Sequence, residues 1–201
     1  MTAPESLILA SGSAIRRALL TTAGIAFVVD PADLPEEELV AHIPEPDRRA
    51  RALAVAKARH VARRHPGGFV LGGDQIGVLD DDTPLEKPRD CEHHVRMLLS
   101  MAGRRHTFHP AVALVRDDAL LAAAGCDVTV TFRAFDESTA RAYVASGEGR
   151  GSCGGYELEN RGCQLVDDVA GDMQAVLGFP LRLVLPMLRH HCRREAGLLP
   201  G

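Results

Sequence analysis

The chain has 201 residues, 46% of them hydrophobic and 25% charged, which is ordinary globular composition with enough length for one large domain or two small lobes. A formal net charge of -4 speaks against nucleic acid or an anionic membrane surface as the main partner, and no apolar run approaches the length of a membrane span. Five scattered cysteines without a CxxC pair, and an N-terminus without a basic n-region, lead us to expect reduced thiols in a cytoplasmic protein.

Residues 7–10, Leu-Ile-Leu-Ala, read as a buried strand that runs at once into Ser11-Gly12-Ser13 and an amphipathic helix. Ser11 or Ser13 suits the N-cap, because a serine hydroxyl holds an orphan N–H of the first turn. Arg16 and Arg17 then fall in the first turns. Free N–H groups, the helix dipole, small hydroxyls and a guanidinium fork together suit a phosphate. The plainer alternative is a capped surface helix with solvated arginines. A strand is expected over 25–29, and Pro31 opens an acidic loop with Asp33, Glu36, Glu37 and Glu38, either a solvated face or a carboxylate set for a divalent metal. Helical spacing of Ala50, Leu53, Ala54, Ala58 and Val61 predicts a helix over 46–65, stopped by Pro66-Gly67-Gly68. Lys57 lies in its middle among alanines and, taken alone, reads as structural.

Phe69, Val70 and Leu71 form the next apolar run, followed by Gly72-Gly73-Asp74-Gln75 and a resumed strand over 76–79. Glycines before an acidic residue at a strand end allow close approach, which places Asp74 like a catalytic or metal-binding carboxylate. An ordinary turn aspartate between two strands is the alternative. In Leu85-Glu86-Lys87-Pro88 the proline restricts Lys87 to extended backbone. Asp90 caps a helix to residue 102, strands are expected over 105–115 and 120–132, and Asp136 caps a helix to about residue 146. Five glycines in residues 147–155 mark a sharply bent loop. Short strands at 156–158 and 163–166, a helical run after Gly171-Asp172, a break at Gly178-Phe179-Pro180 and a last helix over 181–189 complete the pattern. No histidine pair has metal-ligand spacing, and the thiols, lacking a base partner, read as buried fillers.

Taken in order, Ser11-x-Ser13-x-x-Arg16-Arg17, Glu36, Ala56-Lys57-Ala58, Gly73-Asp74-Gln75, Lys87-Pro88, Gly154-Gly155-Tyr156, and Gly171-Asp172 with Gly178-Phe179-Pro180-Leu181 resemble the Maf family of nucleoside triphosphate pyrophosphatases. The chain departs from that pattern at Pro35, Ala56, Glu86 and Pro110-Ala111. The resemblance implies an α/β fold similar to inosine triphosphate pyrophosphatase, with an elongated mixed β-sheet, flanking helices and two lobes around a cleft. It implies one catalytic domain over 1–190, with 191–201 as a loose tail. It further implies a Mg²⁺- or Mn²⁺-dependent hydrolysis of canonical or modified nucleoside triphosphates to the monophosphate and pyrophosphate, by a homodimer. The positions carried over are Asp74, Lys57 and Lys87 as catalytic, Ser11, Ser13, Arg16 and Gln75 as substrate-binding, and Asp74 with Glu36 as metal-binding.

Elementary chemistry agrees with that assignment. Attack of water on the α-phosphorus develops negative charge on the leaving pyrophosphate, which Arg16, Lys57 and Lys87 can meet. Asp74 is expected either to deprotonate the water or to hold the metal. A nucleotide-binding regulatory protein of cell division with little catalysis is the rival from another class. A phosphomonoesterase, releasing orthophosphate, is a third.

Overall fold

The computed structural model describes residues 6–199. The first five residues of the domain expected over 1–190, and the last two of the expected tail, lie outside the described residues. The fold is mixed α/β, with seven strands in one sheet and flanking helices. The strands are β1 (Leu7–Leu9), β2 (Val28–Val29), β3 (Phe69–Leu79), β4 (Arg105–Arg116), β5 (Ala119–Gly125), β6 (Val128–Phe132) and β7 (Val166–Ala170). The helices are α1 (Ala14–Thr22), α2 (Glu36–Val40), α3 (Pro46–Ala62), α4 (Cys91–Met101), α5 (Glu137–Ala145), α6 (Met173–Val176) and α7 (Leu181–His191). Hydrogen bonding orders the sheet β2-β1-β3-β4-β6-β7, with β5 also on β4. β1 pairs parallel with β2 and β3, whereas β4 pairs antiparallel with β5 and β6, and β6 with β7.

The chain forms two compact units, one comprising residues to 75, 110–126 and 178 onward, the other 76–109 and 127–177. The long strands β3 and β4 contribute residues to both. In the first unit β1 is apolar throughout because both faces of the sheet are covered. Leu7 and Leu9 join Phe69, Leu71, Leu20 of α1 and Val184 and Leu188 of α7, while Ile8 joins Val70 and, on α3, Ala58 and Val61. In the second unit Val128, Val130 and Phe132 of β6 point inward, alternating with half-buried Thr129 and Thr131. Phe132, Phe108 and Tyr156 pack their rings around His106, which is fully buried.

Several expected elements differ. The acidic stretch over 36–40 is a short helix with Glu36 in its first turn. β3 runs unbroken through 69–79, so Asp74 sits in mid-strand rather than at a strand end or in a turn. Gly72 and Gly73 do allow close approach, but within a continuous strand rather than at its end. The strand expected over 120–132 is two, interrupted at Cys126-Asp127, where the Cys126 N–H donates to the Pro110 carbonyl. Pro110 has no N–H to return, so the ladder fails there. The short strands expected at 156–158 and 163–166 are replaced by 3₁₀ turns at 153–155 and 161–165, followed by β7. Nor is the segment after α7 loose: Cys192 and Ala196 are buried in the core, and the Ala26 N–H donates to the Ala196 carbonyl. The cysteines are all free but not all fillers, since Cys91 and Cys163 are exposed.

Candidate active site

The turn from β1 to α1 is organised by its two serines. Ser13 is the N-cap, its Oγ accepting the Arg16 N–H at 3.4 Å. Ser11 is buried, and its Oγ accepts the Ser13 N–H at 3.3 Å. The half-buried Arg16 side chain folds back over this turn. Its Nη1 donates to Ser11 Oγ at 3.2 Å and to the Gly73 carbonyl at 2.8 Å, and its Nε donates to the Gly178 carbonyl at 3.1 Å.

Glycines on β3 set the distance to α3. A Cβ on Gly72 would lie 2.2 Å from the Ala54 carbonyl, so strand and helix touch backbone to backbone at that point. Lys57 is one helical turn beyond Ala54, which aims its side chain at the strand two residues past Gly72. Its Nζ lies 2.5 Å from Asp74 Oδ1 and 2.9 Å from Glu36 Oε2. Lys57 is 9% exposed and Asp74 7%, while Glu36 on α2 is more open. An ammonium this deep requires paired carboxylates, and it has two. The alternative of a lysine snorkelling to solvent is therefore replaced by an ion triad in which Lys57 and Asp74 are buried and Glu36 is partly exposed. Burial pushes the Asp74 carboxyl above the ordinary carboxylate range, against the opposing pull of Lys57 and Arg16. Burial likewise works against the Arg16 charge, which Asp74 and Glu36 offset only in part.

The Gly178-Phe179-Pro180 break contributes more than a helix stop. Gly178 takes φ +81°, and a Cβ there would meet Gln75 Oε1 at 3.0 Å, so Gln75 and Arg16 both adjoin this turn. The fully buried Phe179 ring leaves room only for a hydrogen on Gly73. Sequence reasoning did not include the Gly73 and Gly178 carbonyls among the site groups. The signal available was the pair of glycines beside Asp74 and the GlyPhePro break. The structure thus brings together Ser11, Ser13, Arg16, Gln75, Glu36, Lys57 and Asp74 in the first unit. Lys87 belongs to the second unit, exposed on the 83–90 loop. There the Leu85 N–H donates to the Gly77 carbonyl and the Gly154 N–H to the Glu86 carbonyl, at 2.8 and 2.9 Å.

Among the described residues no cluster of three or more metal-type side chains exists. Two carboxylates nevertheless converge on one cation, the Lys57 ammonium. Hard oxygen donors in that number fit Mg²⁺ or Mn²⁺ where substrate oxygens and water complete the shell. None of the described helices is long and apolar enough to cross a membrane.

The site thus joins a strand–turn–helix capped by Ser13 to a Glu36-Lys57-Asp74 ion triad whose lysine and aspartate are buried. At the level of family, the model described as "Maf-like protein" matches residues 6–191, and the chain belongs to that family. Among individual relatives, a protein of Rhodopseudomonas palustris strain HaA2 named "Nucleoside triphosphate pyrophosphatase" is 38% identical over 190 residues, covering 92% of this chain and 94% of the relative. A "7-methyl-GTP pyrophosphatase" of Mesorhizobium japonicum is 37% identical, covering 92% and 96%. A "dTTP/UTP pyrophosphatase" of Symbiobacterium thermophilum is also 37% identical, covering 92% and 93%.

Proposed function

We propose that the protein is a nucleoside triphosphate pyrophosphatase, acting on canonical or modified nucleotides, and that it uses a divalent metal. The buried Lys57 ammonium between Asp74 and Glu36 is the observation that carries this reading. A lysine held by two carboxylates beside the serine turn can neutralise a polyphosphate while a carboxylate handles a proton. Binding a polyanion alone would not call for carboxylates at that spot.

In the reaction a water oxygen bonds to the α-phosphorus, and the bond from that phosphorus to the bridging oxygen breaks. The electron pair leaves with pyrophosphate. Asp74 accepts the proton of the attacking water, a task suited to a carboxylate whose proton affinity burial has raised. Ser11 and Ser13 present hydroxyls, and the first turn of α1 its N–H groups, to phosphate oxygens. Gln75 contributes an amide. Lys57 meets charge that develops on the leaving group. Lys87, exposed and with no hydrogen bond or ion pair of its side chain among the described residues, is proposed as a further phosphate-binding cation. Asp74 and Glu36 would hold Mg²⁺ or Mn²⁺, which when bound supplies Lewis-acid charge at phosphate oxygens.

Relatives of equal identity are named for different bases, so the test is a panel that includes 7-methyl-GTP, dTTP and UTP. Pyrophosphate and orthophosphate are measured with Mg²⁺ or Mn²⁺, with chelator, and for Asp74→Asn. Pyrophosphate that depends on metal and disappears in Asp74→Asn is expected. Orthophosphate instead would indicate a phosphomonoesterase, and silence with intact nucleotide binding would favour the regulatory protein.

A further inference from the structure

Arg16 spends three of its five N–H donors, the whole Nε/Nη1 edge, on the protein itself. Nε and Nη1 of one planar fork reach three segments far apart in sequence: Ser11 in the β1–α1 turn, Gly73 in β3 and Gly178 before α7. Each contact bears on a neighbouring group of the site. The Gly73 carbonyl belongs to the planar peptide that ends at the Asp74 nitrogen, so fixing that oxygen fixes where the Asp74 side chain starts. Gly178 adjoins Gln75. Ser11 Oγ accepts from both Arg16 Nη1 and the Ser13 N–H, which occupies its two lone pairs. Its own O–H is then left to donate, the role a phosphate oxygen requires. Burial works against the guanidinium charge, and Asp74 and Glu36 pull the other way.

We infer that Arg16 is a positioning residue, which serves the reaction by orienting Ser11, Asp74 and Gln75 through these contacts rather than by touching a phosphate. This rests on the pyrophosphatase reading above and reassigns one member of the expected substrate-binding set.

Lysine separates the two roles, because it keeps the charge and loses the fork. For wild type and Arg16→Lys, kcat of pyrophosphate release is measured beside the Kd of an α,β-methylene nucleoside triphosphate, which binds without cleavage. Misplacement of reacting groups by an ångström costs about 10²-fold in rate, so kcat should fall about 10²-fold with Kd within about threefold. Gly178→Ala is the second variant. It strains a backbone at φ +81° and crowds Gln75, leaving the Arg16 charge in place, and should show the same split. Thermal unfolding establishes that each variant is folded, and an unchanged kcat in Gly178→Ala remains a refutation where Arg16→Lys does not fold. Binding weakened as far as turnover in Arg16→Lys overturns the inference, as does an unchanged kcat in Gly178→Ala. Failure of the wild type to release pyrophosphate would instead remove the reaction reading, and the inference with it, before any variant is compared.

Discussion

His106 makes stability depend on pH in a calculable way. The ring is fully buried on β4, its Nε2 lies 2.8 Å from the Tyr156 hydroxyl, and its Nδ1 finds no hydrogen-bond partner among the described residues. A second N–H on that ring would be buried without an acceptor, and burial lowers its pKa from 6.5 to about 4. The folded state therefore keeps His106 neutral while the unfolded chain takes up a proton below its ordinary pKa. Stability is fully present above 6.5 and is lost as pH falls toward 4. A shift of this size gives about 2–3 kcal/mol lost between about pH 7.5 and about pH 4.5. His106→Gln keeps a partner for Tyr156 and cannot titrate. Urea unfolding of wild type and variant at the two pH values should give curves that converge by that amount on the acid side. The other buried histidine, His94, is also held below its ordinary pKa, but its contribution is common to both proteins and cancels. Curves that stay parallel across the range would refute the buried neutral ring.

Other expectations follow from the triad and the strand beside it. Lys57→Met should lower turnover about 10²–10³-fold, the usual loss for one preorganised charge stabiliser, and near-normal pyrophosphate release would remove Lys57 from the chemistry. Gly72→Ala puts a methyl 2.2 Å from the Ala54 carbonyl, so α3 must move off β3. It should cost about 1–3 kcal/mol in chemical denaturation and reduce turnover by separating Lys57 from Asp74, and an unaltered unfolding midpoint would contradict the close approach.

Much of this protein was legible in the order of its residues. Strand β1 is apolar at every position because helices cover both faces of its sheet, and that pattern is visible without a fold. Helix α3 is announced by its spacing and by Pro46, and Asp90 and Asp136 cap their helices as their residue type predicts. Ser11 and Asp74 stood out because a serine after a strand suits a helix N-terminus and glycines before an acidic residue allow close approach. What depends on contacts between distant segments was hidden. Residue order alone placed Asp74 at a strand end, since Gly72-Gly73-Asp74-Gln75 interrupts the apolar run of Phe69, Val70 and Leu71 before a strand pattern resumes. Only the packing of Ala54 and Phe179 against Gly72 and Gly73 turns those glycines into part of a continuous strand. Lys57 read as a solvated lysine because nothing local reveals two carboxylates arriving from residues 36 and 74. The three acceptors that Arg16 reaches, two of them backbone carbonyls, leave no mark on composition or period. Local propensity and side-chain chemistry are properties of short stretches of chain, whereas burial, ion pairing and the use of a hydrogen-bond donor are decided by whichever residues the tertiary fold brings within a few ångströms.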